Sequence, residues 1–556
     1  MARSDRDIIK DLKTRRVDMD DEYNAWKPHF VELRDNIKPS RGRFSIGENR
    51  KGSTINKKII DPTAAESLKT FKSGMTSGVA SQARPWFKIG LTDKDLMEDH
   101  DVKVWLSEVQ KRMYEVLRGS NVYRSLPVAF EALGIYGTYG GMMVPHFDNI
   151  VHFKTFPMGR YRIATDEDGN VVALHWDIHM TVRQIVNQFG LDAVSQDVRT
   201  RHERNELGAS ILVSAAVECR GERDLLSPLA SDMVMGVYYW EENKTEKLLL
   251  NSGYSFKGLL CPRWEVEDDD QAFASMSPGM EALGACVHLQ AQQRQKALAI
   301  AMSVTPTMQQ PAGMKSRYRG IPGRSVSVPT MDIQKGGMRP THEVRTDIQG
   351  MLEDIEDTRR SVQFAFYDDL FRMISRLGIS GVKDVTATAI NKMSEEMIIA
   401  IGPALENVNS GLLQPIVEGT FHYMQEADIL PPPPDSMDGQ SISVEFIGLF
   451  AQAQRSVGIA AIERTIGFVG TLAQVKPEAL DLLNEDSAVR EFAEQVGPPP
   501  EMIRSEREIE EIRAQRAQAQ QQQQMIDSAE PMASAANLIS EANQRGEEGL
   551  ARGGGF

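Results

Sequence analysis

Apolar residues recur every three or four positions early in the chain. Tyr23, Trp26, Phe30, Leu33 and Ile37 form one stripe, which predicts a helix. Pro28 falls inside that stripe and predicts a kink or a helix start there. Leu68, Phe71 and Met75 repeat the spacing behind Asp61-Pro62, a capping carboxylate followed by proline at the first helical position. Gly74 and Gly78 on this second helix let another element approach closely. Val102, Trp105, Val109, Met113 and Val116 mark a third helix. From Met142 to Thr181 the period falls to two. Val151, Phe153 and Thr155 alternate with polar neighbours, and Asp168-Gly169 sits between Tyr161-Arg162-Ile163 and Val171-Val172, a hairpin signal. Further strands are expected at 211–219, 234–241, 246–252 and 258–264.

In the central block, Ser277-Pro278-Gly279 leads into Met280–Met302, a helix with almost no breakers. Pro306–Pro340 holds five prolines and five glycines and cannot be helical; short strands such as Ser325–Val328 suit it better. His342–Leu377 then reads as a second long helix, with Ile348, Leu352, Ile355, Val362, Phe366, Leu370 and Ile374 on its apolar side. Gly378 and Gly381 bracket a short loop, and another helix runs to Gly402-Pro403. Pro431–Pro434 makes a rigid break, a helical stretch follows the segment Val444–Arg455 to about Phe492, and Gly497-Pro498-Pro499-Pro500 is the last sharp boundary. Glu501–Ser528 is helix-forming, with Ile503, Ile509 and Ile512 on a narrow stripe, and glycine-rich Arg545–Phe556 is expected to be disordered. The fold class is α+β, mostly helical.

Length changes this picture little: 556 residues suffice for several packed layers divided among domains. Charge changes it more. The chain carries a net −15, yet Arg34–Lys58 holds eight Lys/Arg against two acids, and Pro306–Arg345 holds seven against two. A protein that grips nucleic acid tightly is basic overall or has a dominant basic face. An acidic body with local basic patches instead suits a surface past which DNA slides, because each phosphate neutralised adds grip. No stretch of about 18 apolar residues predicts a membrane span, and MARSDRDIIKDLKTRR has no apolar core of a secretory signal. Three cysteines, Cys219, Cys261 and Cys286, are odd in number and widely spaced, which suits a reducing compartment.

Catalytic fingerprints are missing. Gly134, Gly137, Gly140 and Gly141 lack the Gly-Lys-Ser/Thr ending of a phosphate loop and fit a closely packed helix end. There is no His-Glu-x-x-His and no Gly-x-Ser-x-Gly. His175, Asp177 and His179 share one strand face, a conceivable metal site, although a face exposed to solvent or to a neighbouring subunit explains them as well. Paired acids such as Glu395-Glu396 and Asp268-Asp269-Asp270 read as solvated faces.

Several separated motifs carry a resemblance. Val382–Glu406 reads VKDVTATAINKMSEEMIIAIGPALE, Ala83 precedes the tetrad Arg84-Pro85-Trp86-Phe87, Tyr136-Gly137-Thr138 follows, and Leu430-Pro431 and Val444–Arg455 come later. Taken in their order along the chain they resemble the head-to-tail connector, or portal, proteins of short-tailed bacteriophages. Two positions depart from that pattern: Ala389 stands where relatives carry Glu in a Thr-Ala-Thr-Glu run, and Leu449-Phe450-Ala451 lacks a proline.

The resemblance implies a layout: 1–275 as an N-terminal wing, 276–305 as a first stem helix, 306–341 as the clip and 342–377 as a second stem helix. It continues with 378–384 as a tunnel loop, 385–497 as tunnel helix and remaining wing, 498–544 as a helical crown or barrel, and 545–556 as a tail. It implies a ring, typically of twelve subunits, at one capsid vertex of the virion, assembled in the bacterial host cytoplasm. Double-stranded DNA passes through that ring. A terminase packaging motor, tail adaptors, capsid and scaffold proteins are the other partners; no cofactor, membrane or catalysis is implied. Ile379, Ser380 and Lys383 are the expected channel contacts. Lys315, Arg317, Arg319, Arg324, Lys335 and Arg339 are the expected clip contacts to motor, tail or DNA. Two other classes remain open, a scaffold or tail adaptor and a DNA-processing enzyme.

Overall fold

A computed structural model describes residues 4–44, 59–93, 99–220, 233–242, 244, 247–266, 271–304, 308–309, 339–340, 348–377, 401–434, 437 and 442–448. It also describes a few helical residues at 469, 509, 512–516 and 518. The chain forms two compact units, residues 1–93 with 105–457 and residues 94–104 with 458–556. In the second unit, the helical residues 512–516 lie within the stretch expected to be helix.

Helix α1 (Asp5–Ile37) begins at Ser4, whose hydroxyl accepts from Asp7 N, and it runs through Pro28 without ending there. A proline costs a helix one hydrogen bond; here Tyr23, Phe30, Leu33 and Ile37, buried on one stripe, offset it. Helix α2 (Thr63–Val79) starts one residue later than expected, and Asp61 still accepts the amide of Thr63. Strand β1 (Phe87–Leu91) is followed by α3 (His100–Gly119) and α4 (Val122–Tyr136). On α3 the stripe ends on Leu117, which is fully buried, while Val116 is half-buried.

The period-two region folds as the alternation predicts. Strands β2 (Gly140–His146) and β3 (Ile150–Phe156) form a hairpin, and β4 (Tyr161–Thr165) pairs with β5 (Val171–Thr181) across the Asp168-Gly169 turn. After α5 (Val182–Phe189) and α6 (Gln196–Glu203), strands β6 (Ser210–Cys219), β7 (Met235–Glu241) and β8 (Leu250–Tyr254) extend an antiparallel sheet ordered β4-β5-β6-β7-β8. Strand β9 (Leu259–Leu260) joins β2, and β10 (Glu265–Val266) pairs with β11 (Ser275–Met276). Helix α1 lies on the five-stranded sheet, with Ile8, Ile9 and Leu12 clustered on Ala216, Tyr238, Trp240 and Leu248.

Helix α7 (Pro278–Val304) ends near β12 (Met308–Gln309), which pairs with β13 (Arg339–Pro340), and α8 (Ile348–Ala365) follows. That pairing brings the C-terminal end of α7 beside the N-terminal end of α8. The second long helix is not continuous: it breaks at Phe366-Tyr367 and resumes as α9 (Asp368–Leu377). Past residue 401 a helical run contains a π-turn at Asn409–Leu413 and continues as α10 (Gln414–Glu426). Gly411 within it lets Pro262 approach closely, since a Cβ there would lie 2.8 Å from Pro262 Cα. Strand β14 (Ile442–Phe446) closes the described part by pairing with β1.

Candidate functional site

Two motifs far apart in sequence meet in the small β1-β14 sheet. Phe87 pairs with Phe446, and Trp86 stacks on the Phe446 ring with centroids 6.5 Å apart. The Tyr114 hydroxyl accepts from Trp86 N (2.8 Å) and Phe87 N (2.9 Å) and donates to Phe87 O. Trp86 and Phe87 of the tetrad, at 1% and 0% exposure, are therefore a core anchor, while Arg84 and Pro85 stay exposed. Tyr136-Gly137-Thr138 is the end of α4. Gly137 takes φ +70 as a left-handed cap, its amide bonds Leu133 O, and a Cβ there would lie 2.6 Å from Ser275 O.

Asp61 joins α2 to α7 and α8. It is 2% exposed. Its carboxylate accepts from Thr63 N, from the Thr63 hydroxyl, from Gln293 Nε2 (2.7 Å) on α7, and from Arg359 Nη2 (2.8 Å) and Nε (3.0 Å) on α8. Gln290, also on α7, takes the amides of Ile60 and Asp61 on its Oε1 and donates to Asp61 O. Burial alone pushes the carboxyl up; the hydrogen bonds from Thr63, Arg359 and Gln293 outweigh it and hold the group below the usual carboxylate range. A carboxylate so bonded is a joint between helices rather than a titrating base.

Glu131, on α4, forms a second buried node at 1% exposure. Arg41 holds both oxygens (3.0 and 2.8 Å), Lys72 reaches Oε2 (3.1 Å), and Lys38 bonds Oε1. Burial raises this group, but Arg41 and Lys38 prevail and leave it at about 2. The first basic stretch is thus partly internal: Lys38 and Arg41 serve Glu131, and Arg34 pairs with Asp35.

His175, Asp177 and His179 do not converge on a metal. His175 is fully buried with Nε2 2.7 Å from Glu218, which also pairs with Arg15 of α1. Asp177 takes Arg16 of α1 (2.7 Å) and Ser214, and His179 stays exposed. Helix α1 covers the part of this face that the sequence left to solvent or a neighbouring subunit. Among the described residues no three His, Cys, Asp or Glu gather as for an ion.

The α7–α8 pair buries one face where it meets the core, with Val287 and Phe364 exposed on its outer side, and is barer towards its other end. Cys286, Leu289, Gln290, Gln292 and Gln293 are buried on α7, and Ile355 and Val362 on α8; Gln292 Nε2 donates to Asp354 (2.5 Å) between them. Towards the β12–β13 end the apolar residues remain in the open: Leu298 is 59% exposed, Val304 67%, and Leu352 43%. Ile300, Met302 and Ile348 are exposed with them. A helix end apolar on most sides and uncovered needs a partner.

Of the expected contact residues, Ile379, Ser380, Lys383, Lys315, Arg317, Arg319, Arg324 and Lys335 lie outside the described residues, as does Ala389. Arg339 is described only in its backbone, in β13. The sequence did not single out Glu131 or Arg359; their partners are tens to hundreds of positions away, and local spacing carries no signal for that.

A family profile described as "Bacteriophage head to tail connecting protein" matches residues 9–503. The "Portal protein" of Salmonella phage epsilon15 is 35% identical over 547 residues, covering 97% of this chain and 96% of its own length. The "Probable portal protein" of Bordetella phage BPP-1 is 35% identical over 502 residues, 90% of this chain and 89% of its own. A match spanning almost every element above, the aromatic anchor and the α7–α8 pair included, places this chain in the bacteriophage head-to-tail connecting, or portal, protein family.

Proposed function

We propose that copies of this chain close edge to edge into a ring at one capsid vertex, and that the ring is the passage for double-stranded DNA during packaging, retention and ejection. Such a ring is a cyclic assembly whose interface repeats head to tail and closes by rotation. In this reading α7 is the first stem helix, 342–377 with α8 and α9 the second, residues 306–341 the clip, and 378–384 the tunnel loop. Residues 498–544 form the crown, and 1–275 with 385–497 the wing and tunnel helix. Lys315, Arg317, Arg319, Arg324, Lys335 and Arg339 contact the terminase motor, the tail or DNA, and Ile379, Ser380 and Lys383 line the passage. Twelve copies are the expected number. The ring breaks no bonds; a separate motor supplies the work, and the acidic excess of the chain keeps passing phosphates from sticking.

The observation that carries this reading is the bare apolar half of the α7–α8 pair. An apolar stripe that starts in a core and continues uncovered along the same two helices is the mark of an interface with another copy. Leu298→Asp combined with Ile300→Asp places two charges on that half and leaves the buried half untouched. Native mass measurement is expected to show the wild-type chain as a closed oligomer and the double variant as folded protomers with unchanged circular dichroism. An oligomer of unaltered mass in the double variant would place the interface elsewhere.

A further inference from the structure

Four non-glycine residues of the described chain hold positive φ: Ile150, Asn205, Tyr367 and Asp428. Asn and Asp tolerate that region, and Ile150 borders a hairpin turn. Tyr367, at φ +54, stands between two helices. Its neighbourhood prefers otherwise. Residues 351–377 contain no glycine or proline, and Ile355, Val362, Phe366 and Leu370 keep helical spacing straight across the break. Local preference is for one helix; the bend is imposed from outside.

The imposing contacts come from α2. Phe71 meets Phe366 (6.5 Å, 70°) and Phe371 (5.5 Å, 90°) edge to face. Gly74 admits the Phe371 ring, which any Cβ there would overlap. The bend also leaves a polar group poorly served: Asp368 is 2% exposed, its Oδ2 accepts from Arg372 (2.8 Å), and its buried Oδ1 has no hydrogen-bond partner. A left-handed tyrosine and an unsatisfied carboxylate oxygen oppose the bend, while three buried aromatic rings hold it.

We infer that Phe366-Tyr367 is a two-position hinge. In one position α9 is bent and docked on α2; in the other α8 and α9 join as a single helix from Ile348 to Leu377, and Phe371 leaves Gly74. Tyr367 changes from left-handed to right-handed helical backbone in the exchange, and α9 moves as a unit while α7 and α8 stay latched to Asp61. The hinge is a property of the protomer and does not depend on the ring.

The test compares full-length chains with Tyr367→Gly, Tyr367→Asn and Tyr367→Ala by hydrogen exchange with mass spectrometry, on peptides spanning 366–373. Glycine and alanine both remove the ring, so they differ in backbone preference alone. Glycine is free in the left-handed region and poor in a helix, and alanine is the reverse. While the bend persists the amides of Asp368, Asp369 and Leu370 make no bond to a carbonyl four residues back, whereas Phe371 N already bonds Tyr367 O. They are expected to exchange at least roughly tenfold more slowly with alanine than with glycine. Asparagine should follow glycine, and Gly74→Ala, which expels Phe371, should follow alanine. Peptides from β5 to β7 should exchange alike in all four. Equal exchange for glycine and alanine would mean a fixed bend, and faster exchange with alanine would mean the bend is required for folding; either result overturns the hinge.

Discussion

Glu131 shows how one buried side chain decides what a charged stretch does. Three cations converge on its carboxylate, so residues that looked like an external basic patch hold the end of α1 against α2 and α4. The folded group titrates at about 2, below its ordinary value of 4.5. The sign follows from that depression: the unfolded chain binds the proton more tightly, so the contribution is complete above pH about 4.5. It is lost as pH falls towards 2. A shift of this size corresponds to about 3 kcal/mol, reduced to about 2 kcal/mol because the three cations remain partly exposed to screening solvent. Glu131→Gln is therefore expected to lower the melting temperature at pH 7 and to flatten its dependence on pH, so that the two curves converge near pH 2. Parallel curves from pH 7 to 2 would show that the carboxylate charge contributes nothing.

At the scale of elements, Asp61 is the joint through which α2 holds α7 and α8 at once. Asp61→Ala leaves Gln293, 7% exposed, without its acceptor, and frees the amide of Thr63. A cost of about 3 kcal/mol is expected. Amide exchange should quicken in the first turn of α2 and in the facing turns of α7 and α8, and stay unchanged in the five-stranded sheet. Unaltered exchange around residues 290 and 359 would sink the latch. Much of this layer was legible in the sequence, because periodicity is a local property. The stripes of α1, α2 and α8, the hairpin at Asp168-Gly169, and the long helix behind Pro278 all follow from it. Three features were not. The helix through Pro28 persists because core aromatics outweigh one lost hydrogen bond, the α8–α9 break is forced by Phe71 and Gly74, and the β1-β14 pairing spans more than three hundred residues. Each depends on a contact that no window of neighbouring residues contains. The catalytic and metal-binding alternatives met the same limit, since only the cover of α1 shows what His175 and Asp177 do.

For the whole molecule, family membership and the bare half of the α7–α8 pair point to the same arrangement. Leu298, Ile300, Met302 and Leu352 are apolar side chains left in water on two neighbouring helices, and a second copy of the chain seated there is the arrangement proposed above. A copy seated on that half would make its stability depend on protomer concentration, as for any assembly that buries an interface on association. Of the motifs that made the family legible, Trp86-Phe87 and Tyr136-Gly137-Thr138 are packing motifs. They identify the fold through its core and are silent on which side chains meet DNA or the motor.

The claim on which the account depends is closure around a passage. Electron microscopy of the purified full-length chain, read as class averages down the particle axis, tests it most directly. Annular particles of one closed symmetry are expected, with a central opening wider than the roughly 20 Å that a B-form duplex requires. Isolated protomers at every concentration, or closed particles whose opening is narrower than the duplex, would contradict it.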